Sequence, residues 1–126
     1  MSKLNLETIE INGVEYVKKS ELMSNKAETL NGMPYCIVRT YSAGVFSGYV
    51  ESRNGKEAVI RNVRCLWYWD GAASLLQLAK SGVKNPQNCK FTCTVDKIEL
   101  TEVIEIIECT EEAKKNIMEV SEWIIK

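Results

Sequence analysis

Three β-rich runs in quick succession constrain this chain more than anything else in it. Tyr35–Thr40 (YCIVRT), Val45–Glu51 (VFSGYVE) and Glu57–Cys65 (EAVIRNVRC) are apolar, aromatic or β-branched. Such residues fit a pleated, half-buried surface. The first two runs are joined by small residues, and the second pair is joined through Asn54-Gly55, a hairpin signal. Three strands joined this closely must run antiparallel, because a parallel return needs a crossover of a dozen residues or more. A meander is therefore expected from Pro34 onward.

Helical signals come next along the chain. After Leu66-Trp67-Tyr68-Trp69, Asp70 is expected to cap a helix running from Gly71 to Lys80. Ala72, Leu75, Leu76 and Ala79 recur at the helical period, and Gly82 suits the position just past the helix end. Asn85-Pro86 breaks the chain into a loop. Phe91–Val95 reads as a short strand. In Lys97–Cys109, Leu100, Val103, Ile104 and Ile107 fit a helix stripe, whereas the density of Val, Ile and Thr favours a strand, which is the expectation adopted. Thr110 followed by Glu111 and Glu112 marks the start of a C-terminal helix. The apolar tail Trp123-Ile124-Ile125 is expected to pack on the core or on a neighbour. Upstream, residues 8–18 read as a hairpin about Asn12-Gly13, and Ser20 as the cap of a short helix in a polar linker.

The fold expected is α+β, an antiparallel sheet of about five to seven strands with one central and one C-terminal helix. Residues 1–33 form an N-terminal arm and linker, and residues 34–126 the main domain.

Composition narrows the chemistry. The chain has no histidine and an odd number of cysteines, five. Loss of imidazole removes the commonest general base and metal ligand. Cys89 and Cys93 would need two further ligands for zinc, and the spacing of Cys36, Cys65 and Cys109 is irregular. No metal, no cofactor and no catalytic residue is expected. The N-terminus lacks a signal-peptide core and no apolar run is long enough for a bilayer, so a cytoplasmic protein with no membrane partner is expected. Charge is distributed unevenly. Residues 35–95 carry eight bases and three acids, whereas residues 96–126 carry four bases and nine acids. An anionic ligand is therefore sought in the middle, unless the two blocks simply pair with each other.

Trp67 and Trp69, two of the three tryptophans, are separated by one residue. In an extended segment they face the same way, as a stacking platform for a base, or they belong to the core. Arg39, Arg53, Arg61 and Arg64 are candidate phosphate ligands. Simple alternation puts Arg61 with Val59 and Val63, and Arg64 with Ile60 and Asn62, on opposite faces. Arg53 sits beside a hairpin turn. Ser42–Gly48 is rich in small residues but matches no phosphate-binding loop, and a tight turn with a bulge accounts for it.

The segments IVRTYSAGVFSGY, RCLWYWDGAASL and GVKNPQNCKF resemble a family of small phage and prophage proteins. They also resemble the first-described Thoeris anti-defence sponges. That resemblance implies a protein that sequesters a cyclic ADP-ribose-type immune signal without cleaving it, and in some relatives cyclic oligonucleotides of the CBASS system. It implies a homo-oligomer, dimer or hexamer, with pockets between subunits, and a small nucleotide rather than a long nucleic acid as ligand. The family's aromatic, arginine and asparagine roles fall on Trp67, Arg53 and Asn88. Cys65 departs from the pattern, which has a basic residue after Arg64. The ligand-binding set expected is Arg39, Arg53, Arg64, Trp67, Trp69 and Asn88. The alternative is a protein–protein inhibitor of a host defence factor, with the tryptophans as its hot spot.

Overall fold

In the computed structural model, residues 26–126 are described. The hairpin expected over residues 8–18 and the Ser20-capped helix lie outside them. Strands β1 (Tyr35–Thr40), β2 (Val45–Asn54) and β3 (Glu57–Tyr68) form the expected antiparallel meander. The β2–β3 turn sits one residue later than anticipated. Asn54 pairs with Glu57, so Gly55-Lys56 is the two-residue loop. Only Gly55 of the two has positive φ (63°), the pattern of a type II′ turn with glycine first.

Helix α1 (Leu75–Ser81) starts later than expected, and its cap is Ser74, whose side chain accepts from Gln77 N–H. Asp70 is held elsewhere, against Asn85 and Asn88. The shifted start turns Leu75, Leu78 and Ala79 inward and leaves Leu76 exposed. Gly82 ends the helix with φ 77°, as its position suggests. A 3-10 turn (Pro86–Asn88) leads into β4 (Lys90–Phe91). The Lys97–Cys109 segment is extended but broken in two, β5 (Val95–Leu100) and β6 (Val103–Glu108). Helix α2 (Glu111–Glu119) is capped by Thr110, whose hydroxyl accepts from Ala113 N–H.

All six strands described lie in one antiparallel sheet, with path β4-β3-β2-β1-β6 and β5 on β3. Because β5 pairs with β3 and runs almost directly into β6 beside β1, the sheet curls. Inside the curl lies one apolar cluster, Cys36, Val38, Phe46, Ala58, Ile60, Val63, Leu100 and Val103. The two helices cover the opposite face over a second cluster that includes Tyr35, Ile37, Tyr49, Leu66, Leu78, Phe91 and Ile117. Residues 26–33 lie against the start of α2: Ala27 N–H donates to Cys109 O (3.1 Å), and Glu28 N–H to the Glu111 carboxylate (2.7 Å). No helix among the described residues is long and apolar enough to cross a membrane.

One irregularity re-aims the centre of the sheet. Ser47 pairs with Arg64 and Tyr49 with Arg61, so Gly48 alone opposes both Asn62 and Val63. This is a β-bulge, with Asn62 at φ 48°. It inverts the alternation along β3. Ile60 and Val63 both enter the curled cluster, while Arg64 and Leu66 turn to the helix side. Arg61 and Arg64 therefore share a face, contrary to simple alternation. The bulge requires glycine opposite it, since a Cβ on Gly48 would lie 2.7 Å from Ile60 Cγ2 and 2.9 Å from Arg61 O.

Gly48→Ala is expected to destabilise the fold by about 1–3 kcal/mol, read as a lower urea midpoint. A second expectation concerns alkali. Burial pushes Tyr35 from 10.0, and Cys36 and Cys109 from 9.0, to about 12. Unfolding lets these groups ionise earlier, so the unfolded chain binds fewer protons in that range. Stability is then complete below pH 9 and falls as pH rises toward 12. Urea midpoints under reducing conditions that stay flat from neutrality to pH 10.5 would contradict this.

Candidate functional site

The end of β3 is where exposed aromatic and cationic groups meet. Leu66 pairs with Phe91 and Tyr68 with Lys90, so β4 lies along the last residues of β3. Beyond α2 the chain returns to β4. Glu122 bridges Phe91 in parallel, and Trp123 N–H donates to Phe91 O at 2.8 Å. This places the Trp123 indole against Trp67, with ring centroids 5.2 Å apart and planes 33° from parallel. Lys90 Nζ stands 5.4 Å from the Trp67 centroid and 5.5 Å from that of Trp123. Such contacts favour a cation held by the electron-rich ring faces. Trp67 is 61% exposed and Trp123 46%. Tyr68, Ile124 and Ile125 are exposed as well.

The expected Trp67–Trp69 platform is replaced by this pair. β3 ends at Tyr68, so its alternation does not carry on to Trp69. The chain turns instead: Asp70 N–H donates to Cys89 Sγ (3.4 Å), and Asn85 N–H to Asp70 O (3.2 Å). Gly71, at φ 103°, passes so close to Lys84 that a Cβ would lie 2.4 Å from its backbone nitrogen. Trp69 is half-buried against the helix-side core.

The Asn88 amide nitrogen donates to Asp70 Oδ2 at 2.8 Å. Its carboxamide is thus partly spent on the loop, which leaves less of it for a ligand. A cleft of about 520 Å³ opens between the Pro86–Asn88 turn and residues 119–123, with Trp123 on one side and Glu119 and Glu122 also in its lining. It is not a basic pocket.

Arg64 has a different task from the one expected. It is only 4% exposed and lies beneath β4. Its Nε donates to Thr92 O (3.0 Å), Nη1 to Ile117 O and Val120 O (both 2.9 Å), and Nη2 to Phe91 O (3.2 Å). Burial lowers its pKa, opposed by the nearby Tyr35 and Glu122. Two of the four carbonyls lie at the end of α2, where the helix dipole is negative. A guanidinium fork so engaged, and shielded from solvent, is not a phosphate ligand. The bulge at Asn62 is what turned it inward.

The remaining arginines stand at other places in the sheet. Arg39 Nη1 meets Glu105 Oε1 at 3.4 Å, Arg61 Nε meets Glu51 Oε1 at 3.0 Å, and Arg53 Nη1 donates to Gly55 O at 2.8 Å. Burial raises the Cys65 and Cys89 thiols, which disfavours the nucleophilic thiolate. No group of three or more potential metal-ligating side chains occurs among the described residues. Sequence reasoning misses Lys90 and Trp123 as site residues. In the sequence Lys90 is one more base of the middle segment, and Trp123 is part of an apolar tail. The contact between them depends on how the tail returns after α2.

Replacing Arg64 with Met would leave the Thr92 and Val120 carbonyls without their donor, and would take one of two donors from the carbonyls of Phe91 and Ile117. At about 1–3 kcal/mol for each stranded polar group, the loss should be at least roughly 2 kcal/mol. Arg64→Lys keeps the charge but not the fork, and should recover less than half of it. Urea titration of both variants checks this; a Met variant as stable as the parent would contradict it.

A model of the family described as Domain of unknown function (DUF6948) matches residues 33–117. No curated protein and no solved structure gives a significant match.

Proposed function

The chain belongs to that family, DUF6948, and we propose that it is a binding protein that sequesters a nucleotide-type signal without cleaving it. The observation that carries this reading is the exposed Trp67 indole with the Lys90 ammonium beside it. An aromatic face stacks a base at about 1–3 kcal/mol, and a neighbouring ammonium attracts a phosphate as a point charge. In its finer form the ligand is a cyclic ADP-ribose-type immune signal, with cyclic oligonucleotides as a further class, and the setting is a phage-encoded defence antagonist. The sequence resemblance supports this finer form; the geometry supports only the stacking and the charge.

Sequestration at signalling levels needs a dissociation constant near 1 nM, about −12 kcal/mol. One open indole and one ammonium do not reach that, so the ligand must be largely enclosed. The reading therefore includes a homo-oligomer in which a second copy closes over Trp67. Of the expected ligand-binding arginines, Arg39 and Arg53, at other places in the sheet, are left to line such an interface pocket.

A second reading has an observation of its own. Ile124 and the fully exposed Ile125 directly follow Trp123 in the chain and leave more apolar surface exposed than a small ligand needs. A host protein docked there, with the tryptophans as hot spot, would bury them.

The experiment is to incubate the protein with cyclic ADP-ribose isomers and cyclic oligonucleotides, remove free ligand, denature by heat and identify what is released. Intact nucleotide is the expected result. Altered nucleotide would make the protein an enzyme, and empty protein in every case would sink the nucleotide reading in favour of the protein-docking one. Trp67→Ala, at an exposed position, should stay folded and lose about 5- to 150-fold in affinity. Insoluble protein would instead make Trp67 structural.

A further inference from the structure

The far side of the aromatic pair is built from a segment that is barely attached. After Val120, the last buried residue, Ser121 to Lys126 are all exposed. Val120 itself is fixed, since its carbonyl accepts from Arg64 Nη1 at 2.9 Å. Beyond that anchor the described backbone ties are the Glu122–Phe91 bridge and the 2.8 Å bond from Trp123 N–H to Phe91 O. The rest of the hold is the Trp123 indole on Trp67 and Lys90. Segments with few buried contacts and exposed backbone hydrogen bonds open at low free-energy cost. The family-matched residues end at 117, before this strap begins.

The group that the strap delivers resembles the group that the site would bind. A flat, nitrogen-containing bicycle lies on Trp67 at 5.2 Å, tilted by 33°, with the Lys90 ammonium set against both rings. A purine base stacked on Trp67 would use the same ring face, and its phosphate the same ammonium. We propose that Trp123 is a built-in occupant of the Trp67 face, and that the strap from Ser121 onward must swing away for a planar anionic ligand to stack there. This rests on the nucleotide-binding reading above. The pivot lies just after Val120, because the Arg64 bond to that carbonyl is buried, whereas the backbone tie beyond it, from Trp123 N–H to Phe91 O, belongs to exposed residues.

Exchange of this kind has a defined cost. A site available only while the strap is open binds more weakly by the fraction of time it is open. Emptying the face should therefore tighten binding, whereas a Trp123 that served as a wall of the pocket would weaken binding when removed. Lys90 serves both states, as partner of the indole pair when the strap is closed and of phosphate when it is open.

The test uses the full chain and its Trp123→Ala and Trp67→Ala variants, with the same cyclic ADP-ribose isomers and cyclic oligonucleotides as probes in equilibrium binding. Tail release is followed by timed carboxypeptidase digestion and mass spectrometry. Trp123→Ala is expected to bind about tenfold tighter than the parent. Ligand should speed removal of residues through Trp123 from the parent several-fold, and Trp67→Ala should trim rapidly without ligand. Weaker binding by Trp123→Ala, together with ligand protection of the tail, would overturn the exchange and make Trp123 a ligand contact. Equal affinities would overturn the exchange while leaving nucleotide binding intact. No binding by either the parent or Trp123→Ala overturns the nucleotide reading, and the exchange with it.

Discussion

The Arg64 guanidinium, buried with four backbone carbonyls around it, is the contact on which the arrangement of β3, β4 and α2 depends. Each carbonyl belongs to a place where regular structure stops: Phe91 and Thr92 at the end of β4, Ile117 and Val120 at the end of α2. Element ends leave acceptors under-paired, and one forked cation donates to all four. The Phe91 ring lies 5.5 Å from the guanidinium carbon, and the Phe91 carbonyl accepts from both Arg64 and Trp123. The outer aromatic pair is therefore seated on the same peptide that the inner cation holds.

Local patterns gave the meander, the Thr110 cap and the Gly82 helix end, because each depends on residues adjacent in sequence. What local pattern could not give was the face that Arg64 occupies. That is decided by a bulge at Asn62 that exists only because Gly48, fourteen residues earlier in the sequence, lacks a side chain to block it. The capping residue was open to misreading for a similar reason. Asp70 and Ser74 are both good caps, and the choice between them falls to the close approach of Gly71 and Lys84. The Lys97–Cys109 segment breaks at Thr101-Glu102, which carries no glycine or proline to announce a turn. Of the candidate site, Trp67 was legible. Its partner was not, since Trp123 lies fifty-six positions away and reaches it by pairing with β4.

The basic middle of the chain also takes on a different meaning once folded. Arg39 pairs across β1 and β6 with Glu105 of the acidic terminal block, Arg61 pairs with Glu51 of the neighbouring strand, and Arg64 is consumed inside. The exposed pairs contribute little to stability, but they occupy part of the charge that the sequence suggested was concentrated for an anion. What reaches the aromatic site is one lysine.

The placement of β1 has a consequence for how the chain behaves when it is not folded. Tyr35–Thr40 is flanked by β2 and β6, with apolar residues buried on both sides of the sheet and only Arg39 exposed. Short strand-forming segments of low charge and without proline are the ones that stack with copies of themselves when released. In the native state both hydrogen-bonding edges of this hexapeptide are occupied, so the fold conceals its own stickiest sequence. During synthesis that protection is delayed, because β6 emerges more than sixty residues after β1. Solubility of the nascent chain is thus a race between completing the sheet and self-association of its first strand.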